Sequence, residues 1–167
     1  MSHMAMPDKS LIPWASCELL VAFKFAERGA AISIPLTPQP YDLVVDTGEQ
    51  PPRLYRVQVK KSHYVPPRVR AKGRGDRECH RVLLIRRSSQ TRQHRRLQAH
   101  EFDYLAVVCN PETIYIIPVA TLQREAGDLL RHIEFKGEPE NDRQDSARAA
   151  SRWAQYLNNF ALQAGST

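Results

Sequence analysis

Nowhere in the 167 residues is there a run approaching the roughly 20 apolar residues that a membrane span needs, so no membrane partner is expected. No apolar stretch of a secretory leader follows the start either. The opening Met-Ser-His-Met reads as a tag remnant over residues 1–5, with a native start at Met4 or Met6. Cysteine is scarce. Cys17, Cys79 and Cys109 are odd in number, far apart and free of any CxxC spacing, which excludes a disulfide framework and a zinc ribbon and points to a reducing cytoplasm. Cys79 and His80, even with His94 and His100, match no zinc-finger spacing. Internal repeats are absent, and the chain is short enough that residues 6–167 are expected to form one domain.

What the sequence has in excess is segregated positive charge. Net charge is +6, but Lys60 to Arg96 holds thirteen Lys or Arg against only Asp76 and Glu78, so this segment carries +11 and the remainder −5. Charge kept for solubility alone is interspersed in sign. A basic block of this kind predicts a surface that attracts polyanions by counterion release, with binding that weakens steeply in salt. Within a basic insert at about 63–100, and at the strand exit before it, Lys61, Arg68, Arg70, Lys72, Arg74 and Arg77 are the candidate phosphate contacts. Phosphate contacts fix position without reading bases. The aromatic sheet-face pattern of RNA-recognition modules is missing, which ranks RNA below DNA as the polyanion.

Periodicity divides the chain into elements. Leu19, Leu20, Phe23 and Ala26 recur at helical spacing within 16–28, and Gly29 follows as a C-cap. Strands are predicted over 31–35, 41–46 and 53–62, the last two joined by a hairpin-length connection through Thr47-Gly48 and Pro51-Pro52. The stretch 63–75 has no period and reads as a mobile basic loop. Residues 81–86 read as strand, and 89–100 as either a short basic helix or a loop. Two strands, 103–109 and 113–118, flank a turn at Asn110-Pro111. Asp145 or Ser146 is expected to cap a final helix that carries Trp153, Tyr156, Leu157, Phe160 and Leu162 on one buried stripe. The order predicts an α/β sandwich with a mixed central β-sheet flanked by helices.

Alternation along the strands singles out a chemical corner. Arg56, Gln58 and Lys60 share one face, and Tyr55, Val57 and Val59 share the other. In the preceding strand Asp42, Val44 and Asp46 oppose Tyr41, Leu43 and Val45. If the polar faces coincide, Asp42 lies beside Gln58 and Lys60. A hard divalent cation takes oxygen ligands, which Asp42, the Gln58 amide, the Val59 carbonyl and Glu18 of the first helix can offer. Such an ion polarises a phosphate and acidifies water, while the Lys60 ammonium orients that water or offsets charge on phosphorus. Asp46 reads instead as a strand-end residue, His63 as a surface histidine, and Trp14 and Trp153 as core or interface anchors.

These residues carry a resemblance. Glu18 with Gly29, then Ile32 to Pro35, Tyr41 to Asp46 and Tyr55 to Lys60, resemble the PD-(D/E)xK nucleases, a group that includes a group I intron homing endonuclease and archaeal Holliday-junction resolvases. Phe102 to Val108 and Tyr115 to Pro118 resemble the closing strands of the same family. The resemblance implies a restriction-endonuclease-like core and an endodeoxyribonuclease that uses Mg2+ or Mn2+ and no small-molecule cofactor. Asp42 would be the metal-binding acid, Lys60 the catalytic lysine and Glu18 the helix acid. Gln58 stands where most of the superfamily has Asp or Glu, as it does in the intron enzyme's subgroup. That departure leaves a second reading, a nuclease fold that binds DNA without cutting it inside a defence or repair assembly. Cutting both strands of a duplex takes two sites, so a homodimer or homotetramer is expected, with the final helix and its Trp153 face as the candidate contact.

Overall fold

The structure is a computed structural model that describes residues 14–65, 79–87, 93–125, 127–136 and 152–162. Its first element, α1, spans Trp14–Ala26 and stops where Gly29 takes a left-handed φ of 86°, the C-cap that the sequence predicts. The buried stripe of α1 is Cys17, Val21 and Phe25, spaced i, i+4, i+8, with Leu20 and Ala22 partly covered. Leu19 and Phe23, expected to share the periodic face, are 60% and 58% exposed. The segment is apolar over much of its circumference, so spacing alone marks a helix without choosing which stripe meets the sheet.

The central sheet has five strands: β1 (Ala31–Ser33), β2 (Leu43–Asp46), β3 (Leu54–Lys61), β8 (Tyr104–Asn110) and β9 (Thr113–Pro118), in that spatial order. It is mixed, as predicted: β3 and β8 run parallel and every other neighbouring pair is antiparallel. Parallel neighbours require a crossover, and its described residues include four short strands. These are β4 (His63–Val65), β5 (Cys79–Leu83), β6 (Ile85–Arg87) and β7 (His94–Arg96), followed by a 3-10 turn at Ala99–Glu101. The basic loop predicted to start at His63 therefore begins as strand β4, paired with β5. The span 89–100, read as helix or loop, contains β7 and the 3-10 turn.

Each face of the sheet has its own core. Val57, Val59, Ala106, Val108, Ile114 and Ile116 meet α1 on one side, where Phe160 packs edge-on against Phe25. Leu105, Val107 and Ile117 face the other side, covered by β5, by β10 (His132–Lys136), by the one-turn helix α2 (Val119–Leu122) and by Trp153. The start of β8 is clamped to β3 by Asp103, whose Oδ1 accepts from Arg56 Nη2 at 2.9 Å and whose Oδ2 accepts from the Arg56 backbone N–H at 2.7 Å.

The C-terminal segment corrects the predicted final helix. Residues 152–154 are helical, but the chain then turns and its backbone joins the edge of β9: Ile116 N–H donates to Tyr156 O at 3.0 Å and Asn158 N–H to Ile114 O at 2.7 Å. Asn158 has φ 49° and its amide bonds both Ile114 N–H and Glu112 O. The segment thus closes an otherwise open sheet edge and crosses between faces. Trp153 lies in one core, Phe160 and Leu162 in the other. The five apolar positions have no common stripe, and Trp153, 6% exposed, offers no face for a partner subunit. Asp145 and Ser146 lie outside the described residues.

Candidate active site

The geometry of the corner follows from where the β2–β3 ladder stops. Register pairs Leu43 with Val57 and Val44 with Arg56, so the two strands align their odd-numbered residues into the α1 core. At Asp42 the pairing becomes irregular. Its own N–H donates to Val57 O at 2.9 Å, and its carboxylate then takes the next β3 donor, Val59 N–H, at 2.7 Å. In a strand the N–H and C=O of one residue point to the same side. The Val59 carbonyl therefore also faces this corner, where it accepts from Gln58 Nε2 at 3.0 Å. The same amide nitrogen donates to Asp42 Oδ2. Two oxygens of hard-ligand type thus converge on one point, held by the N–H groups of a side chain that is 5% exposed.

Charge completes the site. Lys60, two residues beyond Gln58 on the same face, interacts with Asp42, and Glu18 of α1 interacts with both. Burial pushes the Asp42 carboxyl above its ordinary range, against the opposing pull of Val59 N–H, Lys60, Arg86 and Gln58. Burial also raises Glu18, helped by the Asp42 charge and opposed by Lys60. Lys60 shifts the other way: burial lowers it, Asp42 opposes the shift and Arg86 reinforces it. All three groups pay for desolvation with only part of the compensation they need, the condition that marks functional pockets. Among the described residues no three His, Cys, Asp or Glu side chains gather as a metal cluster. The donor set is instead two carboxylates, an amide and a backbone carbonyl, all oxygen-bearing, which suits a hard cation better than a soft one.

The structure therefore brings together Asp42, Gln58, Val59, Lys60 and Glu18. Lys61, the next residue of β3, turns to the α1 side, where its charge acts on the Cys17 thiol. Arg68, Arg70, Lys72, Arg74 and Arg77 lie outside the described residues. Asp46 caps its turn by accepting from Gly48 N–H at 2.9 Å. Arg56, first on the polar face, is held by Asp103 and by His100 O. Sequence reasoning passed over Arg86, which reaches the corner from the crossover. No local signal marks it: Arg86 only follows the apolar run Val82 to Ile85.

A sequence model of the PD-(D/E)XK endonuclease family matches residues 16–156. Among solved structures the chain is similar to a bacterial homing endonuclease, I-Ssp6803I, with a TM-score of 0.54 and 18% identity over 84% of this chain and 83% of that one. At that identity the likeness is one of fold, a mixed α/β sheet of restriction-endonuclease-like type. No curated protein matches the chain.

Proposed function

Since the chain belongs to the PD-(D/E)XK endonuclease family, we propose that it is a metal-dependent endodeoxyribonuclease that hydrolyses phosphodiester bonds with Mg2+ or Mn2+. The observation that carries this reading is the convergence of the Asp42 carboxylate and the Val59 carbonyl on the Gln58 amide, with Lys60 and Glu18 in electrostatic reach. In this reading Asp42, Val59 and Glu18 hold the cation, and Gln58 turns its amide over to present oxygen in place of N–H. When bound, the cation supplies Lewis-acid polarisation of the phosphate and a more acidic water. The Lys60 ammonium orients the attacking water and offsets charge developing on phosphorus. The +11 segment that leaves β3 supports a polyanionic substrate, with Lys61, Arg68, Arg70, Lys72, Arg74 and Arg77 gripping backbone phosphates. One site per chain supports assembly as a homodimer or homotetramer for duplex cleavage.

Incubation of the protein with plasmid, linear and branched DNA in Mg2+ or Mn2+ tests the reading. Cleavage of at least one substrate is expected, lost in Lys60→Ala; no cleavage of any, with wild type and variant alike, refutes it. A second reading, binding without cutting, is favoured by one observation: Gln58 brings no negative charge and already occupies both converging oxygens. Calorimetric titration with Mg2+ separates the two. Metal-dependent heat that disappears in Asp42→Asn excludes the pure binder.

A further inference from the structure

The crossover carries Arg86 to the corner by a definite route. Leu84 is fully buried in the core that includes Leu105 and Val107, and its carbonyl accepts from Leu97 N–H at 3.1 Å. In the β3–β8 register Leu105 stands beside Gln58 and Val107 beside Lys60, so Leu84 is seated against the strand that flanks the reacting face. Two residues on, in β6, Arg86 is displaced about 6.6 Å along its strand. Its charge acts on both Asp42 and Lys60. Across the hairpin its register partner Arg95 is engaged bidentately by Glu101, a buried acid that also takes Gln98 N–H at 2.9 Å. The Arg86 guanidinium has no such partner: the residue is half-buried, its backbone pairs with Arg95, and its side chain makes no hydrogen bond or ion pair among the described residues. A half-buried guanidinium whose five donors meet no acceptor among the described residues fits a ligand with paired oxygens, and a tetrahedral phosphate presents such a pair.

We propose that Arg86 is a catalytic residue of the site, donating bidentately to the non-bridging oxygens of the scissile phosphodiester, with the β6–β7 hairpin as the arm that holds it there. This rests on the nuclease reading above for its substrate but concerns a separate contact. Attack on the diester raises the charge on those oxygens, so the contact strengthens towards the transition state and appears mainly in kcat.

The test uses the full chain, with Arg86→Ala and Arg86→Lys. Cleavage kinetics in Mg2+ are measured alongside duplex binding in EDTA at salt from 50 to 200 mM. Arg86→Ala is expected to lower kcat about 10²–10³-fold with less change in KM and with thermal stability unchanged. Millimolar guanidinium should restore part of the rate. Arg86→Lys keeps the charge but loses the fork, and falls between the two. The slope of log affinity on log salt should become shallower by about 0.9 in Arg86→Ala and stay unchanged in Arg86→Lys. Wild-type cleavage with an unaltered Arg86→Ala rate overturns the proposal and leaves the nuclease reading intact. Binding without cleavage, with the shallower slope, supports the phosphate contact and refutes hydrolysis, whereas an equal slope there overturns the contact too. If Arg86→Ala unfolds, an undiminished rate in Arg86→Lys overturns the bidentate role. Failure of wild type to bind or cut DNA sinks both.

Discussion

Replacing Gln58 by glutamate restores the acid usual in the superfamily, and the structure fixes what that does before any metal arrives. Gln58 donates to the Asp42 carboxylate and to Val59 O from a site that is almost wholly buried. The substitution removes a hydrogen bond to a charged group, worth about 1.5–3 kcal/mol, and sets two carboxylates in contact. Their repulsion near 4 Å is about 4 kcal/mol at an effective dielectric of 20, an upper limit because the pair can take up a proton instead. A net loss of about 3 kcal/mol follows, or about 6–12 °C in Tm for a chain of this size. Magnesium offsets most of this loss. The added carboxylate tightens the site, and binding at one hundred times Kd adds about 2.7 kcal/mol. Thermal melts of wild type and Gln58→Glu in EDTA and in millimolar Mg2+ check this. The variant should melt lower in EDTA, and the gap should close by half or more with Mg2+. Equal melting in EDTA, or a gap that Mg2+ leaves untouched, refutes the view that the amide stands in for the cation.

Lys60→Ala should abolish cleavage in gel assays while leaving Tm equal or slightly higher, because burial disfavours the ammonium it removes. Phe25→Ala should cost about 3–5 kcal/mol by denaturant titration, whereas Phe23→Ala on the exposed stripe should stay within about 0.5 kcal/mol; similar costs would put the phase of α1 in error. Glu101 is pushed up by burial, but Arg95 and Gln98 N–H outweigh this and hold its carboxyl below the usual range. Its stabilising contribution is therefore present above the unfolded pKa and lost as pH falls through the folded one, so the Tm deficit of Glu101→Gln should be full at pH 7 and shrink below about pH 4.5. Burial pushes the Cys109 thiol up to about 11, opposed by Ser62; with about one thiolate in a thousand at pH 8, alkylation followed by mass spectrometry should find it unmodified while the protein is native.

How much of this was legible in the sequence depended on whether one period decided the matter. Asp42, Gln58 and Lys60 could be brought together on paper because strand alternation is strict and the two strands are joined by a short hairpin, so register needed only the apolar face of each. The stripe of α1 was not legible, because Leu19 and Phe23 satisfy helical spacing as well as Val21 and Phe25 do, and only the sheet chooses between them. The C-terminal segment misled for a related reason. Trp153, Tyr156, Leu157 and Phe160 have helical spacing, yet Asn158 sits at φ 49° and the backbone there serves the edge of β9. Apolar spacing reports burial, and here burial comes from crossing a sheet edge. Arg86 was out of reach altogether, since a crossover between parallel strands places it and no local period encodes that path.

The energetics of the corner explain why these side chains stand together at all. Asp42, Glu18 and Lys60 are each held where burial opposes their charge, and their mutual attractions do not restore what desolvation takes. A fold selected for stability alone would replace such a group by hydrocarbon at little cost or some gain. Elsewhere the same chain shows what structural charge looks like: Asp103 gives Arg56 both carboxylate oxygens, and Glu101 does the same for Arg95. The contrast lies in the partners. The structural pairs are closed within the protein, while the corner joins two half-buried carboxylates, a half-buried ammonium and a guanidinium without an ion pair among the described residues. A divalent cation compensates the carboxylates and a phosphodiester the two basic groups, so the surplus on each side matches one component of the proposed reaction.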